Sequence, residues 1–408
     1  MLTNSKSLYY SKLNQSTCGE NLMAKRTYLD NASTTFPKPS CVAEAVFRYM
    51  TEAGTNVGRG EYATAFDVED MVFDLRSSLC TLFGGADPSD VVLTRNVTEA
   101  LNLVLKGWLA PGDHVVVTSM EHNAVMRPLT QLAARGVAFS RARCAPDGTL
   151  DVAELESLIG PKTRLVVMTH ASNVCGTILP VEAAGEVCRT HGVPLVVDAA
   201  QTAGVVPLDM RACEASAVCF TGHKGLLGPQ GTGGCVLDPD FASGLDALVA
   251  GGTGSSSDSE QMPTFMPDRL EAGTPNLPGL AGLAASLAWL ERRGMDTVRA
   301  HEQDLTQRLI DGLAPLAAAG RVRLVGQPSA EGRTGVVSIQ TPGHDLAQVA
   351  HGLDARFGIQ TRVGLHCAPS AHKTLGTFPT GTIRFSLGWA NTEGDVDLVI
   401  AALNDLLA

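Results

Sequence analysis

Short apolar strands alternate with amphipathic helices through the middle of the chain. The strand-like runs are rich in β-branched residues and end in polar residues, as in His114–Ser119, Arg164–Thr169 and Leu195–Asp198. Apolar positions with helical spacing follow the first two strands, over Asn123–Arg135 and Val181–His191. Strands that are apolar along their whole length and separated by helices predict a mostly parallel sheet flanked by helices.

Helical patterns predominate toward both ends of the chain. Ala43–Ala53 and Phe66–Phe83 are amphipathic, and the second ends at a glycine pair. Val91–Leu93 predicts a short strand, and a helix begins near Glu99. The C-terminal part predicts a smaller α+β layer, against which the N-terminal segment packs. Its predicted helices are Leu280–Arg293, Val298–Ala319, His344–Phe357 and Glu393–Leu407, and its strands are Gly335–Gln340, Gly358–Thr361 and Thr382–Leu387.

The length of the chain bears on its domain organisation. A chain of 408 residues is too long for one small core, so we expect two packed domains. We predict a large domain over residues 41–279. The small domain combines residues 27–40 with residues 280–408, because the N-terminal segment is expected to join the C-terminal layer.

The first residues stand apart from this pattern. Residues 1–26 are polar, rich in Ser and Asn, and lack the apolar segment of a signal peptide. We therefore expect a disordered N-terminal extension. Met23 is an alternative start, and it stays open whether residues 1–22 belong to the native protein.

Composition narrows the class of protein. Hydrophobic residues make up 44% and charged residues 18% of a chain with 42 glycines, which is typical of a loop-rich globular enzyme. The formal net charge of −11 argues against nucleic acid or an anionic membrane as the main partner. No apolar run reaches the length of a membrane span. Ten cysteines occur singly, without CxxC pairs, so we expect reduced thiols in the cytoplasm.

The stretch Phe220–Gly234 (FTGHKGLLGPQGTGG) places a single lysine, Lys224, in a glycine-rich segment. A partly desolvated lysine amine loses its proton and becomes a nucleophile that can form a Schiff base. The glycines let the backbone approach a bulky planar group closely. Taken alone, the stretch is also compatible with an ordinary structural loop.

An aspartate follows a buried strand 26 residues before this lysine. In Pro194–Gln201 (PLVVDAAQ), Asp198 stands at the carboxyl end of the strand, where a carboxylate can keep a pyridinium nitrogen protonated. His122, Asn173 and Lys224 also come just after predicted strands. Because ligands collect at the carboxyl ends of parallel strands, we expect these side chains on one edge of the sheet.

A second feature of this edge suits an anion. Thr94–Thr98 lies between a predicted strand and a predicted helix, where free N–H groups and the helix dipole converge. Thr98 could equally be a helix N-cap with Asn102 nearby, and the two roles are compatible.

The chain resembles the fold-type I pyridoxal-phosphate enzymes of the class V aminotransferase and cysteine desulfurase family. The matching motifs follow the family's order and leave only the first two dozen residues outside. They are YLDNASTT (Tyr28–Thr35), TRNVTEALN (Thr94–Asn102), SMEHNAVMRP (Ser119–Pro128), HASNVCGT (His170–Thr177), VDAAQTAG (Val197–Gly204), TGHKGLLGPQG (Thr221–Gly231), LEAGTPN (Leu270–Asn276), RVGLHCAP (Arg362–Pro369) and TIRFSLGWANT (Thr382–Thr392).

This resemblance implies an α/β fold: a large domain with a mostly parallel, seven-stranded type of sheet and a smaller α+β C-terminal domain. It also implies pyridoxal 5′-phosphate as the cofactor, with Lys224 bound to it and later moving the substrate's Cα proton. The other implied cofactor contacts are Asp198 at the ring nitrogen, Gln201 at the phenolic oxygen, His122 stacked on the ring, and Val97, Thr98, Thr221, His223 and a partner subunit's Thr274 at the phosphate.

Cys367 decides which reaction the resemblance implies. It lies in RVGLHCAP, where Arg362 and His366 could lower the thiol pKa and make the thiolate a nucleophile. The motif is similar to the R-x-G-x-H-C-A signature of one group of desulfurases, although Leu365 stands where many relatives carry a second histidine. A metal site at His366, Cys367 and His372 is disfavoured because no further ligands accompany them.

Substrate contacts are also implied. Arg384 alternates with apolar neighbours on a predicted strand, and an arginine fork matches a carboxylate in bidentate fashion. The family places the substrate carboxylate there; a structural acid is the alternative partner. The implied substrate-binding residues are Arg384, Asn173, Asn31, Arg362 and His366.

The sequence thus predicts a cysteine desulfurase that moves sulfur from L-cysteine to Cys367 as a persulfide and releases L-alanine. Rival interpretations are a selenocysteine lyase acting on L-selenocysteine, a class V aminotransferase or other lyase with an idle Cys367, and a cofactor-binding scaffold of a sulfur-transfer complex. A sulfur-acceptor protein or thiol would complete the cycle. Gly251–Pro267 is a long Gly/Ser-rich segment, which is compatible with a flexible linker between domains. In the resembling enzymes this region reaches into the partner subunit's active site, so the resemblance implies a homodimer with shared active sites.

Overall fold

The computed structural model describes residues 26–57 and 60–408. The predictions made for residues 1–25, including the extension and the start at Met23, lie outside this part. Its strands are β1 Thr27–Tyr28, β2 Val91–Thr94, β3 His114–Thr118, β4 Ala138–Ala142, β5 Thr163–Thr169, β6 Leu195–Asp198, β7 Ala217–Thr221, β8 Gly233–Leu237, β9 Arg323–Val325, β10 Val336–Gln340, β11 Ile359–Gln360, β12 Arg362–Gly364 and β13 Thr382–Ser386.

The helices connect these strands and cover their faces. They are α1 Ser40–Arg48, continued by a π-helical segment Tyr49–Ala53, α2 Ala63–Phe83, α3 Val97–Trp108, α4 Asn123–Ala133, α5 Val152–Glu156, α6 Val181–His191, α7 Pro239–Ser243, α8 Leu277–Arg293, α9 Met295–Ala318, α10 Leu346–Phe357, α11 Pro369–Thr374 and α12 Glu393–Leu406.

A seven-stranded sheet in the order β2-β8-β7-β6-β5-β3-β4 forms the centre of the molecule. The pairs from β7 through β4 are parallel, whereas β8 runs antiparallel to both of its neighbours. The α/β fold with a mostly parallel sheet is therefore confirmed. Helices bury both faces of the sheet, since the residues of the central strands are divided between two separate hydrophobic cores. This double burial explains why these strands are apolar along their whole length.

Strand β8 begins inside the stretch that the sequence presented as a glycine-rich loop. A Cβ on Gly234 would lie 2.3 Å from the carbonyl oxygen of Val92, so the neighbouring strand approaches too closely for a side chain. Glycine has a low strand propensity, and this contact with another strand is not visible in local sequence.

A second, smaller sheet of four antiparallel strands has the order β12-β13-β10-β9. Strand β1 pairs in parallel with β11, and the chain then follows β13 through a hydrogen bond of 2.8 Å from Ser386 N to Leu29 O. Leu29 packs in a third core together with residues of α9, α10 and α12. The N-terminal segment therefore packs with C-terminal elements.

The boundary between the two layers differs from the simple sequence division. Helix α8 packs into the core of the large sheet through Leu280, Leu283 and Leu287, although the predicted small domain began at residue 280. We keep the division into a large domain (41–279) and a small domain (27–40 and 280–408) as a proposal. Within the described residues, no helix is both long and apolar enough to cross a membrane.

Candidate active site

A cavity of about 220 Å³ opens where the carboxyl ends of the central strands meet the small sheet. Strands β2, β3, β5, β6 and β7 all deliver residues to it, as the strand order leads us to expect. Its lining contains Ala32, Ser33, Asn96, Val97, Thr98, His122, Thr169, Ala171, Asn173, Asp198, Ala200, Gln201, Thr221, His223, Lys224, Arg362, His366, Cys367 and Arg384.

Lys224 follows β7 and is the lysine of this cavity. Burial lowers the pKa of its amine to about 8, although the nearby carboxylate of Asp198 opposes that shift. The backbone around it is fixed from the N-terminal segment, since Thr35 Oγ1 donates to Lys224 O at 2.8 Å and Thr35 N donates to His223 O at 3.0 Å. The lowered pKa gives this amine a larger neutral fraction near neutral pH than an ordinary lysine has, and the neutral form is a nucleophile and a base.

Asp198 ends β6 on the floor of the cavity and is 2% exposed. Its Oδ1 accepts from the backbone N–H of Ala200 at 2.9 Å. Burial raises the pKa of its carboxyl, and the charge on Lys224 only partly counteracts this. A buried carboxylate favours a cationic N–H partner in the cavity.

The polar end of the cavity can hold an anion. Helix α3 begins here at Val97, and its N-cap Asn96 accepts from Glu99 N through the side chain. Thr98 is thus in the first turn rather than the N-cap, and its backbone oxygen accepts from Asn102 Nδ2 at 2.8 Å. Thr221 Oγ1 and His223 Nδ1, which belong to residues lining the cavity, are among the buried atoms without a partner in the described residues. Free donors beside a helix N-terminus are what a phosphate requires.

His122 caps helix α4 and lines the same cavity. Its Nδ1 accepts from Ala124 N at 3.0 Å, which places the ring proton on Nε2. Burial, helped by Lys224, lowers the pKa of the ring to about 4, so His122 is neutral. Gln201 reaches the cavity from the turn after β6 and donates to Ala32 O at 3.2 Å.

Two arginines of the small sheet face the cavity. Arg384 on β13 is 2% exposed, and its Nη2 donates to Asp30 Oδ1 at 2.7 Å. Its Nη1 donates to Asn173 O at 3.1 Å, while its Nε lacks a partner among the described residues. Asp30 is therefore a structural acid paired with Arg384, the alternative to a substrate carboxylate that the sequence left open. Arg362 on β12 is exposed, and its Nη1 donates to Ser33 Oγ at 2.6 Å.

Cys367 lies exposed at the rim of the cavity. Cys367 (φ 58°) and His366 (φ 46°) adopt the left-handed backbone conformation one after the other, which is costly for residues with a side chain. Two hydrogen bonds hold this turn: Asn123 N donates to Cys367 O at 2.9 Å, and Asn173 Nδ2 donates to His366 O at 2.7 Å.

His366 corrects one expectation. Its side chain is buried and bonds through Nε2 to Thr382 Oγ1 at 2.9 Å. Burial, with Arg384 nearby, lowers the pKa of the ring to about 2. An uncharged imidazole supplies no positive charge to a thiolate, so of the two groups expected to acidify Cys367, Arg362 alone is cationic.

Two of the predicted site residues lie elsewhere. Asn31 lines a neighbouring cavity of about 40 Å³, and its Nδ2 is occupied by Ser386 O at 2.9 Å and Asn391 Oδ1 at 3.2 Å. Thr274 lines a third cavity, of about 350 Å³, together with Glu271. Within one chain, therefore, neither side chain joins the main cavity.

The cavity also contains residues that sequence reasoning did not single out. Ser33, Asn96 and Thr169 line it, and Asp30 supports it from behind. Ser33 and Asp30 belong to YLDNASTT, a segment already assigned to the site, so the signal was the segment rather than the residue. Nothing local marks Thr169 as different from other strand residues.

Comparison with known proteins gives consistent results. The sequence model of the class-V aminotransferases matches residues 27–399. A probable cysteine desulfurase of Methanothermobacter thermautotrophicus is 34% identical over 94% of this chain and 96% of its own length. A probable cysteine desulfurase of Halobacterium salinarum is 33% identical over 95% of this chain and 92% of its own.

Solved structures that resemble this chain are also those of cysteine desulfurases. The apo structure of a cysteine desulfurase from Thermococcus onnurineus superposes with a TM-score of 0.87 at 32% identity, covering 94% of both chains. The cysteine desulfurase CsdA of Escherichia coli superposes with a TM-score of 0.82 at 28% identity, again covering 94% of both chains.

Proposed function

This chain belongs to the class-V aminotransferase family, and from that membership we propose that it is a cysteine desulfurase, an enzyme that takes sulfur from L-cysteine and leaves L-alanine. One observation carries the proposal: the buried amine of Lys224 and the exposed thiol of Cys367 line the same cavity. Desulfuration needs a base at the substrate's Cα and a nucleophile for its sulfur, and the cavity offers both.

The cavity fits pyridoxal phosphate, on which the family depends. Unpartnered Thr221 Oγ1 and His223 Nδ1 would hold the phosphate together with the first turn of α3. Asp198 would hold the ring nitrogen, since it lines the cavity and its buried carboxyl favours a cationic partner. His122 is neutral and free to lie against the ring, Gln201 is within the lining, and Lys224 would hold the cofactor through its amine. When bound, the cofactor supplies an electron sink for negative charge at the substrate's Cα.

Lys224 and Cys367 perform the steps that belong to the chain itself. Lys224 Nζ, once free, accepts the Cα proton of the substrate and holds it inside the buried cavity. Cys367 Sγ, as thiolate, attacks the substrate sulfur. A sulfur–sulfur bond forms, the Cβ–S bond breaks, and its electron pair stays on the carbon, which gains a proton to give alanine. The enzyme is left with a persulfide, which an acceptor protein or a small thiol removes.

Two arginines of the cavity can bind the carboxylate of the substrate. Arg362 directs an exposed guanidinium at the cavity, and Arg384 retains a free Nε. Asn173 lines the cavity beside them, but its Nδ2 is already bonded to His366 O. We therefore assign Arg362 the main contact with the carboxylate and Arg384 a supporting one.

We also propose a homodimer. Large apolar side chains are exposed on α1, its π-helical continuation and α2, which is unusual for a surface that stays in water. Phe66 and Phe73 are seven residues apart and share a face of α2. The exposed apolar residues of this surface, which we call the α1–α2 face, are Phe47, Met50, Tyr62, Phe66 and Phe73. A partner on this face would also explain why Thr274 lies outside its own chain's cavity.

The test is formation of alanine and sulfide from L-cysteine in the presence of a reductant. Wild type should form both in equal amounts, Cys367→Ala should form neither, and Cys41→Ala is the matched control. Amino transfer to a keto acid that persists in Cys367→Ala would instead indicate an aminotransferase. Turnover of L-selenocysteine by both wild type and Cys367→Ala, with no turnover of L-cysteine by wild type, would indicate a selenocysteine lyase. A wild type that binds the cofactor but turns over none of these substrates would instead favour the cofactor-binding scaffold.

A further inference from the structure

Arg362 and Arg384 are direct cross-strand partners. Strands β12 and β13 are antiparallel, and their register places Arg362 opposite Arg384. Two like charges in this position repel each other, and burial of Arg384 strengthens the effect. Some other group must therefore hold the two guanidinium groups side by side.

Ser33 is that group. Its Oγ accepts from Arg362 Nη1 at 2.6 Å and from Arg384 Nη2 at 2.7 Å, and it donates to Asp30 Oδ1 at 2.7 Å. A hydroxyl has one proton and two lone pairs, so these three bonds use its full capacity. In the described part of the chain, Ser33 Oγ accepts a hydrogen bond from each of the two arginines and so links them.

The charges around Ser33 do not cancel. Two guanidinium groups share the single carboxylate of Asp30, which bonds directly only to Arg384. One positive charge is left over, and it resides on the exposed guanidinium of Arg362 beside the cavity. A ligand with one carboxylate would balance it.

We propose that Ser33 is a positioning residue that sets the specificity of the cavity for a monocarboxylate amino acid, an inference that rests on the proposed function. Ser33 aims Arg362 into the cavity and holds it beside Arg384. Loss of the hydroxyl frees Arg362, an exposed and flexible side chain, to move away from its buried like-charged neighbour. The carboxylate of the ligand then loses its preformed partner.

The experiment compares two ligands that differ only in the carboxylate, L-alanine and ethylamine. Calorimetric titration of the holoenzyme with each ligand is carried out for wild type, Ser33→Ala, Ser33→Thr and the control Ser157→Ala, whose hydroxyl bonds to Glu154 O on the surface. For Ser33→Ala we expect the dissociation constant of L-alanine to rise about tenfold, because a hydrogen bond to a charged group is lost. Binding of ethylamine should not change, and Ser33→Thr should restore L-alanine binding.

Kinetics provides the second measurement. Ser33→Ala should raise KM for L-cysteine while leaving kcat close to that of wild type, since Ser33 does not touch the reacting atoms. Equal weakening of both ligands, no weakening of either, or failure of Ser33→Thr to restore binding at an unchanged melting temperature would each overturn the inference. If L-alanine binding depends on Ser33 as expected but wild type forms no alanine from L-cysteine, the proposed function fails and the inference stands.

Discussion

The guanidinium of Arg384 lies 2.7 Å from the carboxylate of Asp30, and the arginine is almost completely buried. This pair crosses from the small sheet to the N-terminal segment, so it fastens together parts of the chain that are 354 residues apart. It also occupies a donor that the sequence had assigned to a substrate. The pair therefore has a structural consequence that can be measured.

Asp30→Ala should destabilise the protein by about 3 kcal/mol, because it leaves a buried guanidinium without its counter-ion. Chemical denaturation of the apoenzyme measures this loss. Asp397→Ala is the matched control, since Asp397 pairs with Arg308 on the exposed surface and should cost much less. A loss for Asp30→Ala no larger than for the control would mean that Asp30 does not anchor Arg384.

Thr221→Val should have opposite effects on the apoenzyme and on cofactor binding. Thr221 Oγ1 is buried without a partner, so its replacement by an apolar isostere should leave the apoenzyme as stable or more stable. Affinity for pyridoxal phosphate should fall about tenfold, because a donor to the phosphate is lost. Thermal denaturation and equilibrium titration with the cofactor separate the two effects.

The control for this variant is Thr232→Val. Thr232 is also buried, but its Oγ1 donates to Pro229 O at 2.7 Å. Its replacement should lower the stability of the apoenzyme. A drop in apoenzyme stability for both variants would contradict a phosphate role for Thr221.

Glu302→Gln should change the pH dependence of stability. Glu302 is buried beside the small cavity that also contains Lys224, and burial raises the pKa of its carboxyl from 4.5 to about 8. Between these values the folded protein binds more protons than the unfolded chain. The contribution of Glu302 is therefore present below pH 4.5 and lost as the pH rises toward 8.

The free energies of unfolding of wild type and Glu302→Gln, measured at steps across this range, should accordingly shift in favour of the variant as the pH rises. Glu52→Gln is the control, because Glu52 is exposed and its carboxyl is not desolvated in the folded protein. A constant difference between wild type and Glu302→Gln at all pH values would show that the carboxyl of Glu302 does not titrate in this way.

Phe73→Glu should separate the proposed dimer, because a charge in an apolar interface must be desolvated on association. Sedimentation should show a smaller species for Phe73→Glu. Phe378→Glu, an exposed phenylalanine away from the α1–α2 face, should sediment like wild type. A monomeric wild type, or a dimeric Phe73→Glu, would place the interface elsewhere or exclude it.

Much of the fold could be predicted because its signals are local. The bounds of α6 (Val181–His191) and β6 (Leu195–Asp198) agree with the sequence prediction, since apolar periodicity and helix-ending residues specify them. The order of strands and helices then placed Asp198 and Lys224 on one edge of a parallel sheet. The cavity that they line confirms that they lie together.

What the sequence by itself determined is the succession of elements and the chemical type of residue at the end of each strand, because neighbouring side chains encode both. Only the tertiary structure decided which charges meet. Arg362 lies opposite Arg384 through strand register, Asp30 reaches Arg384 across the chain, and burial leaves His366 uncharged. Register, ion pairing and desolvation depend on residues far apart in sequence, so no local pattern reveals them.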